Sequence, residues 1–325
     1  MTLTHAALAT VFIVALLGAP LALEGQSTTR PHKIGVLHGA FFPGTPSAEG
    51  LKAGLKGLGL EEGRDVTYEI MFTRGKLEAS PAAAETLVRS GANVIVTIQE
   101  PDTRAAVAAT KTIPIVFTGV GDPVAAGIVR AVSHPGGNVT GVSNLATELV
   151  PKRLEILKAV VPGLRRVWAV YHADDLSSIA AARKAEEVAR ALKLEVLQRP
   201  VRTSEELVTE LKALKAGDGL LSPADRAMNI PGLILDLERA RRAFAIFAST
   251  FWVEAGAIVS YGSDEYEDGV QAARLVAKIL RGARPRDLPV EGSNKIELAV
   301  NRKTAQRLGI TIPPDVIARA NRVID

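Results

Sequence analysis

The chain of 325 residues contains no cysteine, and this absence excludes several kinds of protein at once. Without thiols there can be no disulfide, no thiolate metal site, no cysteine nucleophile and no lipid-modified N-terminal cysteine. A cysteine-free chain is compatible with an oxidising compartment, although it does not require one.

Aromatic residues and net charge are also low. Phe, Trp and Tyr make up 4% of the chain and the formal net charge is only +4, with Lys and Arg spread throughout. Nucleic-acid-binding surfaces usually need clustered basic residues, so we expect no nucleic-acid partner. The length allows one large or two ordinary domains with a substantial core.

The common catalytic motifs are missing. Residues 39–46 have the glycine spacing of a phosphate loop, but Thr45 and Pro46 stand where the Lys-Ser/Thr pair should be. Residues 141–145 lack the second glycine of a nucleophile elbow, and no His-Glu-x-x-His motif occurs. His38 and His172 could form a metal pair, but without matching carboxylates they read more simply as solvated loop residues. We expect no catalysis, no cofactor and no metal.

The N-terminal region reads as a targeting segment. Ala6–Leu23 is almost wholly apolar, and a polar, turn-like stretch follows it. This pattern predicts a cleaved signal peptide over residues 1–25 and a periplasmic mature protein. The alternative is an uncleaved membrane anchor, which Gly18 and Pro20 inside the apolar run disfavour.

From Lys33 onward, short apolar strands alternate with amphipathic helices. One set runs from Lys33–Leu37 to Ile115–Phe117 and a second from Glu148–Val160 to Phe244–Ala248. Continuous apolar strands between such helices are typical of parallel βαβ units covered on both faces. The pattern predicts an α/β fold of two doubly wound parallel-sheet lobes, joined by a crossover near Val142–Leu145.

The C-terminal region contains more chain than the second set of elements needs. We therefore expect some of it to return to the first lobe. The predicted N-terminal lobe comprises residues 32–143 with part of 262–295, and the C-terminal lobe comprises residues 144–261 with part of 296–325. Hinge motion is expected at the crossovers near Ser143 and Tyr261.

The stretch 112–144 is the most informative part of the chain. A glycine-bracketed loop, Gly119–Pro123, joins a short strand to a predicted helix at Val124–Val132. Asp122 is predicted to cap this helix, with Pro123 at its first position. Such a loop can present free backbone N–H groups to an anion or a polar ligand head.

Open α/β sheets bind ligands beyond the carboxyl ends of their strands, and this rule selects the candidate site. Phe41 and Phe42 either wall an apolar or aromatic ligand or cover the core of their own lobe. Asp102 or Thr103 is interpreted as a helix cap. The candidate ligand-binding residues are His38, Phe41, Phe42, Gln99, Gly121, Asp122, Ser143, Tyr171, Asp174, Asp225 and Tyr261.

Several motifs, in order and with matching spacing, carry a resemblance to a known family. They are Gly119-Val120-Gly121-Asp122-Pro123, Pro135-Gly136-Gly137-Asn138, Lys152-Arg153-Leu154-Glu155, Ser260-Tyr261-Gly262 and Leu288-Pro289-Val290-Glu291. Over Lys33 to Asp325 the chain resembles the substrate-binding proteins of ABC transporters in the tryptophan/tyrosine-type branch.

The resemblance implies a type I periplasmic-binding fold whose lobes close on a small organic solute, an amino acid or a related and possibly aromatic compound. It implies delivery to an ABC permease and its ATPase, and we expect a monomer. The alternatives are a ligand-sensing domain that signals to a membrane receptor, and an unrecognised α/β enzyme. The chain departs from the family pattern at residues 38–46, 99–101 and 172–175, where specificity would be set.

Overall fold

The computed structural model describes residues 30–40, 43–221, 234–236 and 243–325. These residues form two mostly parallel sheets with helices packed against them, so the predicted α/β class is confirmed. No helix in these ranges is both long and apolar enough to cross a membrane. The predicted signal peptide lies outside the described residues.

The first sheet has six strands in the order β11-β5-β4-β3-β1-β2, and the paired strands run parallel. The register is regular except for an irregularity between Phe117 and Val120 in β4. Its strands are β1 (His32–His38), β2 (Val66–Phe72), β3 (Val94–Ile98), β4 (Ile115–Val120), β5 (Val139–Ser143) and β11 (Glu291–Gly292).

The second sheet has seven strands in the order β13-β12-β10-β9-β8-β6-β7. Strands β10 and β12 pair antiparallel, and the other described pairs are parallel. Its strands are β6 (Arg166–His172), β7 (Glu195–Val201), β8 (Gly219–Leu221), β9 (Phe244–Phe247), β10 (Val259–Ser263), β12 (Ile296–Asn301) and β13 (Arg322–Ile324).

Helices cover both sheets, and short 3₁₀ turns lie at Leu77–Ala79 and Pro285–Asp287. The named α-helices of the described residues are α1 (Pro46–Gly57), α2 (Ser80–Arg89), α3 (Glu100–Ala109), α4 (Val150–Val160), α5 (Leu176–Ala189), α6 (Ser204–Lys212), α7 (Phe251–Glu254), α8 (Glu265–Leu280), α9 (Arg302–Arg307) and α10 (Pro314–Arg319).

Burial on both faces explains why the strands read as continuous apolar runs. In β3, Val94 and Val96 belong to the core cluster that includes residues of α1 and α8. Ile95 belongs to the cluster on the other face, with residues of α2 and α3. A parallel sheet covered in this way cannot show an alternation of apolar and polar residues.

Helices α1 and α8 approach each other at small residues. A Cβ atom added to Gly50 would overlap the carbonyl group of Tyr266, and one added to Gly269 would overlap that of Ser47. A Cβ at Gly54 would lie 2.6 Å from the Cβ of Ala273. The glycines therefore set the distance at which α8, which follows β10 of the second sheet in sequence, packs on the first lobe.

The predicted helix at Val124–Val132 is wrong, because these residues form turns and bends. The side chain of Asp122 caps a single turn, accepting hydrogen bonds from the backbone N–H groups of Val124 and Ala125 at 3.1 and 2.8 Å. Gly127 then takes a φ of 67°, the left-handed conformation that ends helices. The predicted cap at Asp122 is confirmed, but the predicted length of the helix is wrong.

Other differences concern the ends of elements. Helix α3 begins at Glu100, so Asp102 and Thr103 lie within the helix and the cap expected from one of them does not form. Helix α10 and strand β13 were not predicted.

The chain passes between the two sheets three times. It leaves the first sheet after β5, returns between β10 and α8, and leaves again after β11. The three passages are bonded to one another, since Ser293 donates its N–H to the Ser143 carbonyl at 2.8 Å and Asp264 donates to that of Lys295 at 3.0 Å. The residue bounds given above for the lobes stay a prediction.

The contact between α1 and α8 predicts opposite effects for the same substitution at two glycines of α1. We expect Gly50→Ala to lower the free energy of unfolding by about 1–3 kcal/mol, because the new methyl group has no space. Gly57→Ala, where a Cβ would meet nothing within 4 Å, should instead raise it by about 0.5–1 kcal/mol. Urea denaturation of both variants measures the difference, and equal effects would contradict this packing.

Candidate functional site

A pocket lies between the two lobes at the carboxyl ends of β3 and β4. It encloses about 30 Å³, and about 390 Å³ when the space open to solvent is included. One wall belongs to the first lobe and the other to the start of α5, which follows β6 of the second sheet. The lining residues are Gln99, Glu100, Pro101, Gly119, Gly121, Asn144, Ala146, Asp175, Ser177, Ser178 and Ala181.

Gln99 holds an unusual backbone conformation at this pocket, with a φ of 83°. Its N–H donates to the Thr118 carbonyl at 2.9 Å, and its own carbonyl accepts from the N–H of Thr103 at 3.1 Å and from the Thr103 hydroxyl at 2.7 Å. Strained backbone of this kind persists only where its surroundings hold it, and it is concentrated at functional sites. Gln99 was predicted as a site residue, and the structure places it in the pocket wall.

Glu100 is buried in the wall of the pocket, with 4% of its surface exposed. Its carboxylate accepts from Arg104 of the same helix at 2.8 Å and from the backbone N–H of Ser177, in the opposite lobe, at 3.3 Å. Burial and the nearby negative charge of Asp175 raise the pKa of the Glu100 carboxyl group. Glu100 therefore connects the lobes through a group that is costly to ionise.

The start of α5 supplies the opposite wall. Asp175 caps this helix, accepting from the backbone N–H of Ser178 at 3.0 Å and from its hydroxyl at 2.8 Å. The cap leaves Ser177 turned toward the first lobe, where it is buried. The N-terminal turn of α5 thus contributes one carboxylate and two hydroxyl groups to the pocket.

Ser177 joins the two lobes at the Gly119–Pro123 loop. Its hydroxyl accepts from the backbone N–H of Asp122 and donates to the carbonyl of the same residue, both at 3.3 Å. The Thr147 hydroxyl donates to the Ser177 carbonyl at 3.4 Å. The loop was expected to offer free N–H groups to a ligand. In the structure, Ser177 accepts from the N–H of Asp122, and the Asp122 side chain accepts from those of Val124 and Ala125.

Arg153 of α4 holds the first two passages together. Its buried guanidinium donates from Nε to the Tyr261 carbonyl at 2.7 Å and from Nη1 to the Ala146 carbonyl at 3.1 Å. Burial lowers the pKa of Arg153 to about 10, which leaves it charged at neutral pH. The predicted site residue Tyr261 thus contributes its carbonyl group to this clamp.

Ser143 ends β5 at the first passage. Its hydroxyl donates to the Gly121 carbonyl at 3.0 Å and accepts from the N–H of Leu145 at 3.1 Å. Leu145 has a φ of 56°, a strained value for a residue with a branched side chain. Ser143 therefore fixes the backbone behind the pocket, and Gly121 lines the pocket itself.

Asp268 is a buried carboxyl group beside the second and third passages, with 1% of its surface exposed. Its Oδ2 accepts from the Ser263 hydroxyl at 2.7 Å, whereas its Oδ1 has no hydrogen-bond partner among the described residues. Burial, together with the charges of Glu265 and Asp264, raises the pKa of Asp268 to about 6.

Other predicted site residues lie away from the pocket lining. His38 is buried and organises its own loop, since Nδ1 accepts from the N–H of Ala40 at 3.2 Å and Nε2 lies 3.1 Å from the Pro43 carbonyl. The Tyr171 hydroxyl donates to Gln198 at 3.1 Å, and Asp174 forms an exposed ion pair with Arg202 at 3.5 Å. Phe41, Phe42 and Asp225 lie outside the described residues.

Within the described ranges, no cluster of three or more His, Asp or Glu side chains could hold a metal ion. The Nδ1 atom of His172 accepts from the N–H of Asp174 at 3.2 Å, a contact within its own loop. The two histidines considered as a metal pair each organise a separate loop.

Sequence reasoning missed four polar residues of the pocket, of which Glu100 and Ser177 contact each other across the lobes and the other two are Asn144 and Ser178. Asp175 is the N-cap of α5. The pattern Asp-x-x-Ser at residues 175–178 signals the start of a helix. No local pattern indicates that this helix start faces Glu100, since 77 positions separate Glu100 from Ser177.

Comparison with known proteins places the chain among solute-binding proteins. Residues 43–324 match the family model described as ABC transporter substrate binding protein. A protein of Clostridioides difficile (strain R20291), called "Tyrosine-binding protein", is 28% identical over 269 residues, which cover 81% of this chain and 77% of that protein.

Solved structures show the same architecture. A conserved domain protein from Vibrio cholerae has a TM-score of 0.84 and 32% identity, covering 90% of this chain and 100% of that one. A protein described as "the ABC domain in complex with L-Trp from Streptococcus pneumonia" has a TM-score of 0.81 and 26% identity over the same shares of the two chains.

Asp268 predicts a specific dependence of stability on pH. A carboxyl group whose pKa is raised stabilises the fold below its usual titration range and loses that contribution as pH rises toward 6. Between pH 4 and 7 we expect the unfolding free energy of the wild type to fall by up to about 3 kcal/mol relative to that of Asp268→Asn. Asp287→Asn, at an exposed carboxylate, is the control, and parallel pH profiles for wild type and Asp268→Asn would refute the assignment.

Proposed function

Since the chain belongs to the family of ABC transporter substrate-binding proteins, we propose that its pocket binds an aromatic amino acid of the tryptophan or tyrosine type. The family is one of solute-binding proteins. Two relatives support the choice of ligand, one called a tyrosine-binding protein and one crystallised with L-Trp. Family membership favours solute binding for transport over the sensing and enzymatic alternatives.

The observation that carries the proposal is the composition of the pocket between the lobes. Carboxyl groups of Glu100 and Asp175, amides of Gln99 and Asn144, and hydroxyl groups of two serines converge there. An amino acid presents both an ammonium and a carboxylate group, so it needs acceptors and donors in one place. A few placed polar groups at a cleft between lobes are typical of a small-molecule site.

The ligand requires more room than the pocket now has. A volume of about 30 Å³ corresponds to roughly one water molecule, and an aromatic side chain is several times larger. We infer that the lobes separate at the three passages to admit the ligand, by a hinge motion. Phe41 and Phe42, which follow β1 in sequence, are proposed to wall the ligand ring.

The remaining parts of the proposal concern the route and the partners. Residues 1–25 are proposed to direct the protein out of the cytoplasm as a cleaved signal peptide, and the mature protein to act in the periplasm as a monomer. It would then deliver its ligand to an ABC permease and the ATPase of that permease. The family's role in ABC transport supports these partners.

Ligand binding should raise the thermal unfolding temperature. At a ligand concentration about a hundred times Kd, binding adds about 2.7 kcal/mol, which corresponds to a shift on the order of 5 °C for a protein of this size. Differential scanning fluorimetry with L-tryptophan, L-tyrosine and, as a control, L-lysine measures it. If neither aromatic amino acid raises the unfolding temperature, the proposed choice of ligand is wrong.

A bulky residue in the pocket wall should abolish binding without unfolding the protein. Ala181 of α5 lines the pocket, so the side chain of Ala181→Trp would occupy the ligand's space. Arg183→Trp, on the exposed side of the same helix, is the matched control. We expect a loss of affinity of at least about a hundredfold for Ala181→Trp and less than about twofold for the control by isothermal titration calorimetry, with steric exclusion as the cause. Equal affinities would place the ligand elsewhere.

A further inference from the structure

We propose that His38 is a positioning residue for the ligand. Its neutral imidazole, with the proton on Nε2, fixes the loop that follows β1 and thereby sets the wall that Phe41 and Phe42 are proposed to form. The inference rests on the proposed function and deepens it, because it assigns the shape of that wall to one named side chain.

The ring of His38 is bonded to the residues on both sides of the two phenylalanines. Its Nδ1 contacts the backbone N–H of Ala40 at 3.2 Å, and its Nε2 lies 3.1 Å from the carbonyl oxygen of Pro43. Phe41 and Phe42 are the two residues that the sequence places between these contacts. One side chain therefore fixes the backbone at which this pair of residues begins and ends.

The chemistry of the two partners determines the state of the ring. A backbone N–H can only donate, so Nδ1 must be the acceptor and carries no proton. A carbonyl oxygen can only accept, so Nε2 must carry the proton. Both contacts form together only in the neutral Nε2–H tautomer. The Nδ1–H tautomer would lose both of them, and the imidazolium would lose the bond from Ala40.

The surroundings of the ring hold it in one orientation. His38 has 1% of its surface exposed, and its ring stacks on that of Phe72 in the neighbouring strand β2, with 6.1 Å between the ring centroids. Three backbone hydrogen bonds of 2.7 to 3.2 Å tie residues 38–40 to residues 73–75, which follow β2. A buried ring with both nitrogens engaged can therefore act as a fixed point for the rest of the loop.

The loop lies beside the wall of the pocket. His38 pairs with Ile98 in the parallel register of β1 and β3, so it stands next to the strand end that continues into Gln99. A Cβ atom placed on Gly39 would lie 3.8 Å from Oδ2 of Asp102, in the first turn of α3. The conformation that His38 imposes on the loop is thus set next to residues that line the pocket.

The segment 38–46 is also one of those in which the chain departs from the family pattern. A histidine that organises this segment can serve a ligand preference of this chain rather than the common fold. We therefore expect the two hydrogen bonds of the ring to affect how well different aromatic rings fit, in addition to the overall affinity.

The first experiment determines the tautomer. Two-dimensional ¹H–¹⁵N NMR of the full chain, labelled with ¹⁵N in its histidines, distinguishes the two neutral tautomers and the imidazolium by the shifts of the ring nitrogens. The signals of His38 are assigned by their loss in His38→Gln. At neutral pH we expect the Nε2–H form, and either of the other two forms would overturn the inference.

The second experiment measures affinity for L-tryptophan and L-tyrosine by isothermal titration calorimetry. His38→Leu removes both hydrogen bonds and should weaken the binding of L-tryptophan at least about tenfold. His38→Asn keeps an acceptor near the position of Nδ1, and His38→Gln keeps a donor near that of Nε2, so each should recover part of the loss. In His38→Leu the ratio of the two affinities should change at least about threefold, whereas a smaller folded fraction would weaken both ligands equally.

His134→Leu is the matched control, because His134 is exposed and its ring contacts the neighbouring Ser133 at 3.1 Å. It should change either affinity by less than about twofold. Circular dichroism and thermal unfolding establish that the variants are folded at the temperature of the titration. If His38→Leu does not fold, His38→Asn and His38→Gln carry the test, and wild-type affinities in both would refute the role.

Two outcomes would overturn the inference while leaving the proposed function in place. One is wild-type affinity of His38→Leu for both amino acids, and the other is an equal loss for both without recovery in His38→Asn or His38→Gln. If the wild type binds neither amino acid, the proposed function fails instead. Hydrogen–deuterium exchange then tests the hold on the loop: exchange over residues 39–45 should be faster in His38→Leu than in His134→Leu, and equal exchange would refute it.

Discussion

The arrangement of this protein depends on one constraint, which is that polar groups buried between the lobes must find partners in the opposite lobe. Ser177 meets this need for Asp122 and Glu100. Each of these bonds is neutral or weakly ionic, so its net contribution is modest, whereas leaving the group unpaired is costly. A ligand that offers equivalent donors and acceptors can therefore replace these contacts at little net cost.

The contacts of Arg153, at the proposed hinge, are by contrast not easily exchanged. Arg153 binds two backbone carbonyls of different passages, and no carboxylate of the described residues pairs with its buried charge. Removing either carbonyl from its reach would strand a desolvated cation, so this contact favours keeping the two passages together. The proposed hinge motion would therefore exchange the bonds at the pocket and keep those of Arg153.

The sequence predicted those features that depend on local pattern. Continuous apolar runs predicted β1, β3 and β4, because both faces of the sheet are buried there. Gln99 and Gly121 were predicted from their place at strand ends. The predicted helix at 124–132 is wrong, because Gly127 ends the turn that Asp122 and Pro123 begin. Glu100 was missed because its importance comes from α5, and contacts between distant segments have no local signature.

The positions of Glu100 and Asp175 also bear on which parts of the chain match the family pattern and which would set the ligand. Glu100 lies in the segment 99–101 and Asp175 in the segment 172–175, two of the places where the chain departs from the family pattern. The residues of the hinge, by contrast, lie in segments that match it, such as Arg153 within 152–155 and Tyr261 within 260–262. We therefore expect the pocket walls, rather than the contacts of Arg153, to set the charge and shape that this chain recognises.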